Sequence, residues 1–339
     1  MPIKASLDGN DILAFQCDET EWKKLKESYL TMPCCGLRAI PKKSKLGNYF
    51  FAHHRRGECT SAPESAEHIY LKTLIAKLAI EHGYEVITEK PGQTPDGEEW
   101  IADVFCQKGK AKIAIEAQWS HQSDDEYIRR QKKYEASGVR AAWLAKIRQN
   151  SGLRSVLPYG HDIPVFGMKY QSDTKDLKDL YVPQFGKSIK DFVNGLLAGK
   201  LEWRPRIGKN IRVHTVAKEP LICWKCRKPT WVMLGLRFEG TDGQIFKFLP
   251  IEEDDVAEFI QQGTTVNLKP RKSMDGRLAC FHCGALFSKR EQRNNEYADS
   301  VTLNTVELNY KELFRFNSVN ADDIIFDWHF EGRKPIYEW

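Results

Sequence analysis

No run of about 18 uncharged apolar residues occurs in the 339 residues, which excludes a membrane-spanning helix. Internal repeats and low-complexity segments are also missing, so a repeat array or a long disordered tail is not expected. The N-terminal MPIKASLDGNDILAF has neither the basic start nor the long apolar segment of a secretion signal, and a cytoplasmic location is the expectation. A large excess of one charge is lacking too. Fifty-one Lys+Arg against forty-six Asp+Glu leave +5, a mildly basic balance that permits nucleic-acid binding without requiring it. A disulfide framework is not expected either: nine cysteines, an odd number without an export signal, read as metal ligands and free thiols. What remains, 41% hydrophobic and 29% charged, is an ordinary globular composition in a chain long enough for two or three domains.

Residues 1–62 read as a small N-terminal module. Asp8-Gly9-Asn10-Asp11 is a turn between Ile3–Leu7 and Ile12–Phe15, and Asp18 caps a helix through Trp22, Leu25 and Tyr29. Met32 to Thr60 reads as irregular. From residue 64 the pattern becomes regular. Ile69, Leu71, Leu74, Ile75, Leu78 and Ala79 have helical spacing, closed by Gly83. Strands follow at 84–88, 100–105 and 112–119, then a helix from Asp124 to about Ala136, then an apolar strand over Arg140–Ala145. Ile163–Phe166 suggests one more strand, and Ile189–Leu197 an amphipathic helix. Residues 201–220 read as a linker into a C-terminal region, 201–339, with turns, short strands and a polar helix around Glu252–Gln262.

Asp103 and Glu116 fall near the ends of adjacent expected strands. Paired side chains on antiparallel strands lie about 5 Å apart, so both carboxylates could reach one cation. Mg2+ and Mn2+ take such hard oxygen ligands. Gln118 shares the face of Glu116, while Ile113, Ile115 and Ala117 point to a core. Either acid alone would ordinarily face solvent. The pointer to a site is the ordered set: acidic helix, Asp, Glu-x-Gln, basic helix. Glu64, His68 and Lys72 share a helix face, with Glu64 helping to hold metal and His68 and Lys72 turned to nucleic acid; an exposed face of Glu–Lys pairs is the alternative. Glu67 is a second candidate acid. Tyr127, Arg130 and Tyr134, surrounded by Arg129, Lys132 and Lys133, suit a nucleic-acid groove in which arginine meets phosphate and tyrosine stacks. A solvated charged helix would look the same.

These residues carry a resemblance. The series Phe51-Ala52-His53, Glu64-Ser65-x-x-His68-x-x-x-Lys72, Ala102-Asp103-Val104, Ile115-Glu116-Ala117-Gln118-x-Ser120, Arg130-x-x-x-Tyr134 and Trp143-Leu144 resembles the competence protein CoiA-like family of the PD-(D/E)xK nuclease superfamily. It covers about residues 1–200. The resemblance implies an α/β fold with an αβββαβ restriction-endonuclease-like core, metal carboxylates at Asp103 and Glu116, and DNA processing linked to uptake, recombination or defence. Gln118 stands where the superfamily most often has lysine. Glutamine carries no charge and is a poor base, but it can still donate a hydrogen bond to phosphate or water.

Cys223-x-x-Cys226 and Cys280-x-x-Cys283 are two knuckles that can complete a tetrahedral, structural Zn2+ site. Their spacer, Arg227 to Ala279, is 53 residues, longer than usual, and calls for a β-rich insertion. His282 reads as a passenger. Lys225, Arg227, Lys228, Lys269, Arg271 and Lys272 suggest that this zinc ribbon also touches nucleic acid. Cys34, Cys35 and Cys59 with either His53 or His54 form a second candidate zinc set, ordinary thiols being the alternative. Cys17 and Cys106 read as strand-packing residues.

The expectation is therefore three parts: an N-terminal Cys/His module (1–62), a PD-(D/E)xK nuclease domain (63–200) and a β-rich zinc-ribbon domain (201–339). The activity expected is Mg2+- or Mn2+-dependent hydrolysis of nucleic acid, DNA by resemblance. No membrane partner is expected, and protein partners or a homo-oligomer remain open. The alternatives are a non-catalytic nucleic-acid-binding protein with a degenerate nuclease fold, or a zinc-ribbon scaffold.

Overall fold

The computed structural model describes residues 2–59, 63–147, 160–171, 176–263, 279–291 and 299–332; Lys269, Arg271 and Lys272 lie outside them. The chain is a mixed α/β protein with several sheets, and it divides into two compact units. One comprises Met1–Trp203 with Trp328–Trp339, the other Arg204–Asp327.

The first unit opens with Lys4–Leu7 (β1), Asn10–Leu13 (β2), Glu19–Leu25 (α1), Leu30–Thr31 (β3), Arg38–Lys43 (β4) and Tyr49–His53 (β5). Asp8 and Gly9 both have positive φ, 50° and 82°, as a two-residue hairpin turn between β1 and β2 requires. Asp18 caps α1 in a reciprocal pair: it accepts the Glu21 N–H at 2.8 Å, and Glu21 accepts the Asp18 N–H at 2.9 Å. The stretch expected to be irregular, Met32 to Thr60, instead contains β4 and β5, which complete a five-stranded sheet in the order β2-β1-β3-β4-β5. Pro41, Lys42 and Lys43 hide β4 from a hydrophobic pattern. The strand is held by its ladder to β5, from Ala39↔His53 to Lys43↔Tyr49.

Next come Ala66–Glu81 (α2), Glu85–Gln93 (β6), Glu99–Lys108 (β7), Ala111–Gln118 (β8), Asp124–Ala136 (α3), Arg140–Lys146 (β9), Val165–Tyr170 (β10), Leu180–Val182 (β11), Lys187–Ser188 (β12) and Ile189–Leu197 (α4). The seven-stranded sheet runs β12-β11-β10-β9-β8-β7-β6, with β8, β9 and β10 parallel to one another. Ser65, Ser123 and Ser188 cap the three helices by accepting the N–H three residues on. Successive residues of a strand point to opposite faces. Val104, Cys106, Ile115 and Ala117 pack with α2 and α4, whereas Phe105, Ala114 and Trp143 pack with Tyr127 and Tyr134 of α3. The core on the α2 face runs without a break into Ile3, Trp22, Leu30 and Phe51 of the N-terminal sheet. Gly92 permits a close approach on β6: a Cβ there would lie 2.1 Å from the Trp100 ring.

The remaining elements are Leu201–Pro205 (β13), Asn210–Ile222 (β14), Pro229–Glu239 (β15), Ile245–Pro250 (β16), Asp254–Gly263 (α5), Ser300–Asn309 (β17) and Phe326–Phe330 (β18); the unit boundary falls inside β13 and β18. The second unit is built on an antiparallel sheet, β16-β15-β14-β17, whose core joins Ile211, Val213, Leu236 and Phe238 to Val256 and Ile260 of α5. Residues 201–220, expected as a linker, are mostly strand. In β14 the buried Ile211 and Val213 alternate with the exposed Asn210 and Arg212, and that charged face made the segment look like a connection.

Candidate active site and metal centres

Asp103 sits where β7 parts from β8. The ladder between them starts at Val104↔Ile115, so the Asp103 carboxylate is left to accept the Ala117 N–H at 3.0 Å. On the other side, the β6 ladder pairs Thr88↔Val104 and then Lys90↔Ala102. Glu89, with φ of +46°, falls opposite Asp103 in the gap between these two pairs, the register being the same on either side. Helix α2 supplies the rest. His68 Nε2 lies 3.2 Å from Asp103 Oδ2, and Glu64 Oε1 lies 4.0 Å from His68 Nδ1. Among the described residues, Glu64, His68 and Asp103 each offer a ligand atom within 4.8 Å of the others. They line a cleft of about 650 Å³ whose walls include Lys4, Cys34, Glu89, Ile101, Gln118 and Trp119.

Lys72, one turn along α2 from His68, is fully buried. Its ammonium donates to Glu64 at 2.9 Å and also to Glu89. The expectation that Lys72 approaches a phosphate does not match this position: its helix face is turned to the sheet, and two carboxylates enclose the charge. Burial opposes that charge, but Glu89, Glu64 and Asp103 raise the Lys72 pKa, so it stays cationic. Burial likewise works against ionised Asp103, yet His68 and Lys72 hold its carboxyl well below the usual range. For His68 the opposing burial is outweighed by Asp103 and Glu64, which raise it above 6.5. Glu89 also accepts the Ile3 N–H at 3.2 Å, which ties β1 to the cluster.

Glu116 is only 1% exposed and is engaged from the other face of the sheet. Arg130 Nη2 donates to it at 2.5 Å, the Tyr134 hydroxyl donates to it, and the Asp103 N–H lies 3.4 Å away. Asp103 and Glu116 thus flank one gap between strands, with their carboxylates turned towards different helices. Burial and the Asp103 charge push Glu116 up to about 7, against the pull of Arg130 and Tyr134. Tyr134, expected to stack on nucleic acid, is buried beneath Trp100 at 5.1 Å. Tyr127 packs edge-on to Trp143. Arg130 keeps some exposure and stacks 4.7 Å over Trp143. Gln118 donates to the Ser120 carbonyl at 2.8 Å. Glu67 pairs with Lys45 at 2.9 Å, away from the cluster.

Two further groups gather soft donors, and all described cysteines are free thiols. Cys34, Cys35, His53 and Cys59 converge: His53 Nε2 lies 3.2 Å from Cys35 Sγ and 3.7 Å from Cys34 Sγ, with Cys59 Sγ 3.7 Å from Cys34. His53, at the end of β5, belongs to this set and His54 does not. Cys223, Cys226, Cys280 and Cys283 form the other. Both knuckles make the same turn: Arg227 N–H to Cys223 O and Gly284 N–H to Cys280 O, each at 2.9 Å, with Arg227 and Gly284 at positive φ. The Cys223–Cys283 and Cys226–Cys280 sulfurs are 3.6 Å apart. Zn–S bonds of about 2.3 Å would give a tetrahedron edge of roughly 3.8 Å, so the donor spacing fits that ion. Burial disfavours a Cys280 thiolate, but the Thr230 hydroxyl and the N–H groups of Cys283 and His282 bring its pKa down to about 6, ready for a metal. His282 points to the Pro229 carbonyl at 3.1 Å, not to the sulfurs.

Residues 64–157 match the family model described as competence protein CoiA, nuclease-like domain. The matched segment begins at Glu64 and takes in His68, Lys72, Glu89, Asp103, Glu116, Arg130 and Tyr134, the side chains of the carboxylate cluster and its supports. No curated protein matches the chain. A solved structure described as "Crystal Structure of Protein of Unknown Function AF1548" is similar at 19% identity over 24% of this chain, with a TM-score of 0.20. The chain spans 47% of that protein, and a likeness so limited carries no argument.

Glu89, Trp100 and Trp119 were not singled out in the sequence. Glu89 offered no signal, since nothing in Thr88-Glu89-Lys90-Pro91 announces a positive φ within the strand. Trp119 could have been found from its place next to Gln118 at a strand end.

Proposed function

We propose that this chain is a metal-dependent nuclease that hydrolyses phosphodiester bonds of nucleic acid, DNA by its resemblance, in DNA processing, recombination or defence. The observation that carries this is the convergence of Glu64, His68 and Asp103 within 4.8 Å of one another at the wall of an open cleft, inside a segment matching a nuclease-like family. The αβββαβ order around these residues supports a PD-(D/E)xK core.

A bound Mg2+ or Mn2+ would supply an acidified water and neutralise phosphate charge. Asp103 and Glu64 are the carboxylates suited to hold it, and the His68 nitrogen favours Mn2+ over the harder Mg2+. Glu116 stands behind the same gap, its carboxylate oriented by Arg130 and Tyr134. The buried Lys72 ammonium lies between Glu64 and Glu89 and, with His68, favours the ionised form of Asp103. Gln118 lines the cleft and can turn its amide from Ser120 to a phosphate oxygen. The two cysteine-bearing groups are assigned as structural Zn2+ sites. The three-part division at residues 62 and 200 is retained as a functional one, with Lys225, Arg227 and Lys228 of the zinc ribbon touching nucleic acid.

A second reading, a nucleic-acid-binding protein without turnover, is favoured by one observation: Gln118 replaces a base and already spends its donor on Ser120. Degradation of plasmid or single-stranded DNA with Mg2+ or Mn2+ separates the two. The nuclease reading expects cutting by wild type, abolished in Asp103→Ala and Glu116→Ala. If all three bind DNA alike and none cuts, the second reading holds.

A further inference from the structure

The three parallel strands of the first unit end together. Gln118↔Ala145 and Lys146↔Met168 are in register, so the residues at or just past the ends of β8, β9 and β10 meet at one edge: Trp119, Lys146, and Lys169 with Tyr170. Ligands of parallel sheets gather at this carboxyl edge. Trp119 stands on a boundary there. Its indole lines the cleft of Glu64, His68 and Asp103, and it also lines a second hollow of about 620 Å³, shared with Lys45, Glu67, Lys146, Lys169 and Tyr170. The Tyr170 ring meets Trp119 edge-on at 6.1 Å and 82°. Lys146 Nζ sits 4.5 Å over the Trp119 ring. Among the described residues, the one acid lining this hollow, Glu67, is engaged by Lys45, and Lys146, Lys169, Trp119 and Tyr170 give its wall cationic and aromatic groups.

We propose that this hollow is a strand-binding subsite for unpaired nucleotides, in which a base stacks on Trp119 beside Tyr170 and the backbone phosphates lie on Lys146 and Lys169. It rests on the nuclease reading and names that site's substrate class as single-stranded nucleic acid. The argument is steric and electronic. In a duplex, both faces of a base are covered by its neighbours, so only an unstacked base can lie on an indole. The Lys146 ammonium holds the ring face now and can swing from it to a phosphate, since the residue is exposed and its stem is long. Because Trp119 follows Gln118 directly, a base stacked there puts the adjoining phosphodiester at the carboxylate cleft.

The test is anisotropy of the full-length protein with a labelled homothymidine oligonucleotide and with a blunt duplex of equal length, without added Mg2+ or Mn2+. The single strand is expected to bind at least about tenfold tighter. Trp119→Ala and Lys146→Glu each weaken it by about tenfold, and Trp119→Phe restores it. Equal affinity for strand and duplex overturns the proposal, as does a folded Trp119→Ala or Lys146→Glu protein that binds like wild type. Asp103→Asn keeps the two ideas apart. Single-strand binding that depends on Trp119 while neither wild type nor Asp103→Asn cuts would leave this subsite standing and remove the nuclease reading.

Discussion

His68 Nε2 lies 3.2 Å from Asp103 Oδ2, a contact between α2 and β7 across 35 residues of sequence. It joins an acid that is held ionised to an imidazole whose charge that acid favours. With Glu64 one helical turn back, the pair makes the one carboxylate-bearing ligand group among the described residues.

The Lys72 ammonium is the counter-charge of this cluster. Lys72→Met leaves Glu64 and Glu89 partly buried without their cation, which costs about 3–5 kcal/mol. Thermal denaturation should show a large drop in Tm, partly recovered in Lys72→Met/Glu89→Gln. An unchanged Tm in the single variant would count against the buried pairing.

Stability should fall as pH rises through neutrality. Burial and Asp103 raise Glu116 from 4.5 to about 7. His68 is also raised, burial opposing and Asp103 with Glu64 prevailing. Both groups bind a proton more tightly in the folded state. Their contribution is therefore complete below about pH 4.5 and is lost as pH climbs past about 7, while Asp103, with the opposite sign, acts only at lower pH. Glu116→Gln should remove its share, on the order of 2 kcal/mol. Urea denaturation between about pH 5 and pH 8 checks this, and a wild type that gains stability across the window contradicts it.

Much of this was legible in the sequence. The spacing of Ile69, Leu71, Ile75, Leu78 and Ala79 marked α2, and the runs at 84–88, 100–105 and 112–119 marked β6, β7 and β8. Their periods of 3.6 and 2 follow directly from burying one face. Strands β4 and β14 were not legible, because proline and charged residues on an exposed face mask the alternation. Asp103 and Glu116 were found, but not the helices that claim them. Arg130 and Tyr134 looked like a surface pattern because helical spacing shows which residues share a face and not whether that face is covered. Glu89 was invisible, since its role depends on a positive φ inside β6 and on its place opposite Asp103.

Zinc content follows the cysteine geometry. Purified protein should carry about two equivalents of Zn2+, falling to about one in Cys223→Ser/Cys280→Ser and in Cys35→Ser/His53→Ala. His54→Ala should keep both. Metal analysis finding a full complement in either double variant would reject the corresponding site.

Gln118→Lys places an ammonium in the cleft beside the carboxylates. The nuclease reading expects cleavage to rise by about tenfold or more, within the range of a well-placed proton-transfer group. Single-turnover cleavage of a labelled oligonucleotide measures it, and a rate unchanged from wild type would mean that residue 118 does not face the reacting phosphate.

Anomalous scattering from crystals soaked in Mn2+ tests the central claim most directly. One peak bonded to Glu64, His68 and Asp103 in wild type, absent in Asp103→Ala, is the predicted result. A map with no peak at this cluster, or a peak that survives Asp103→Ala, would contradict the assignment.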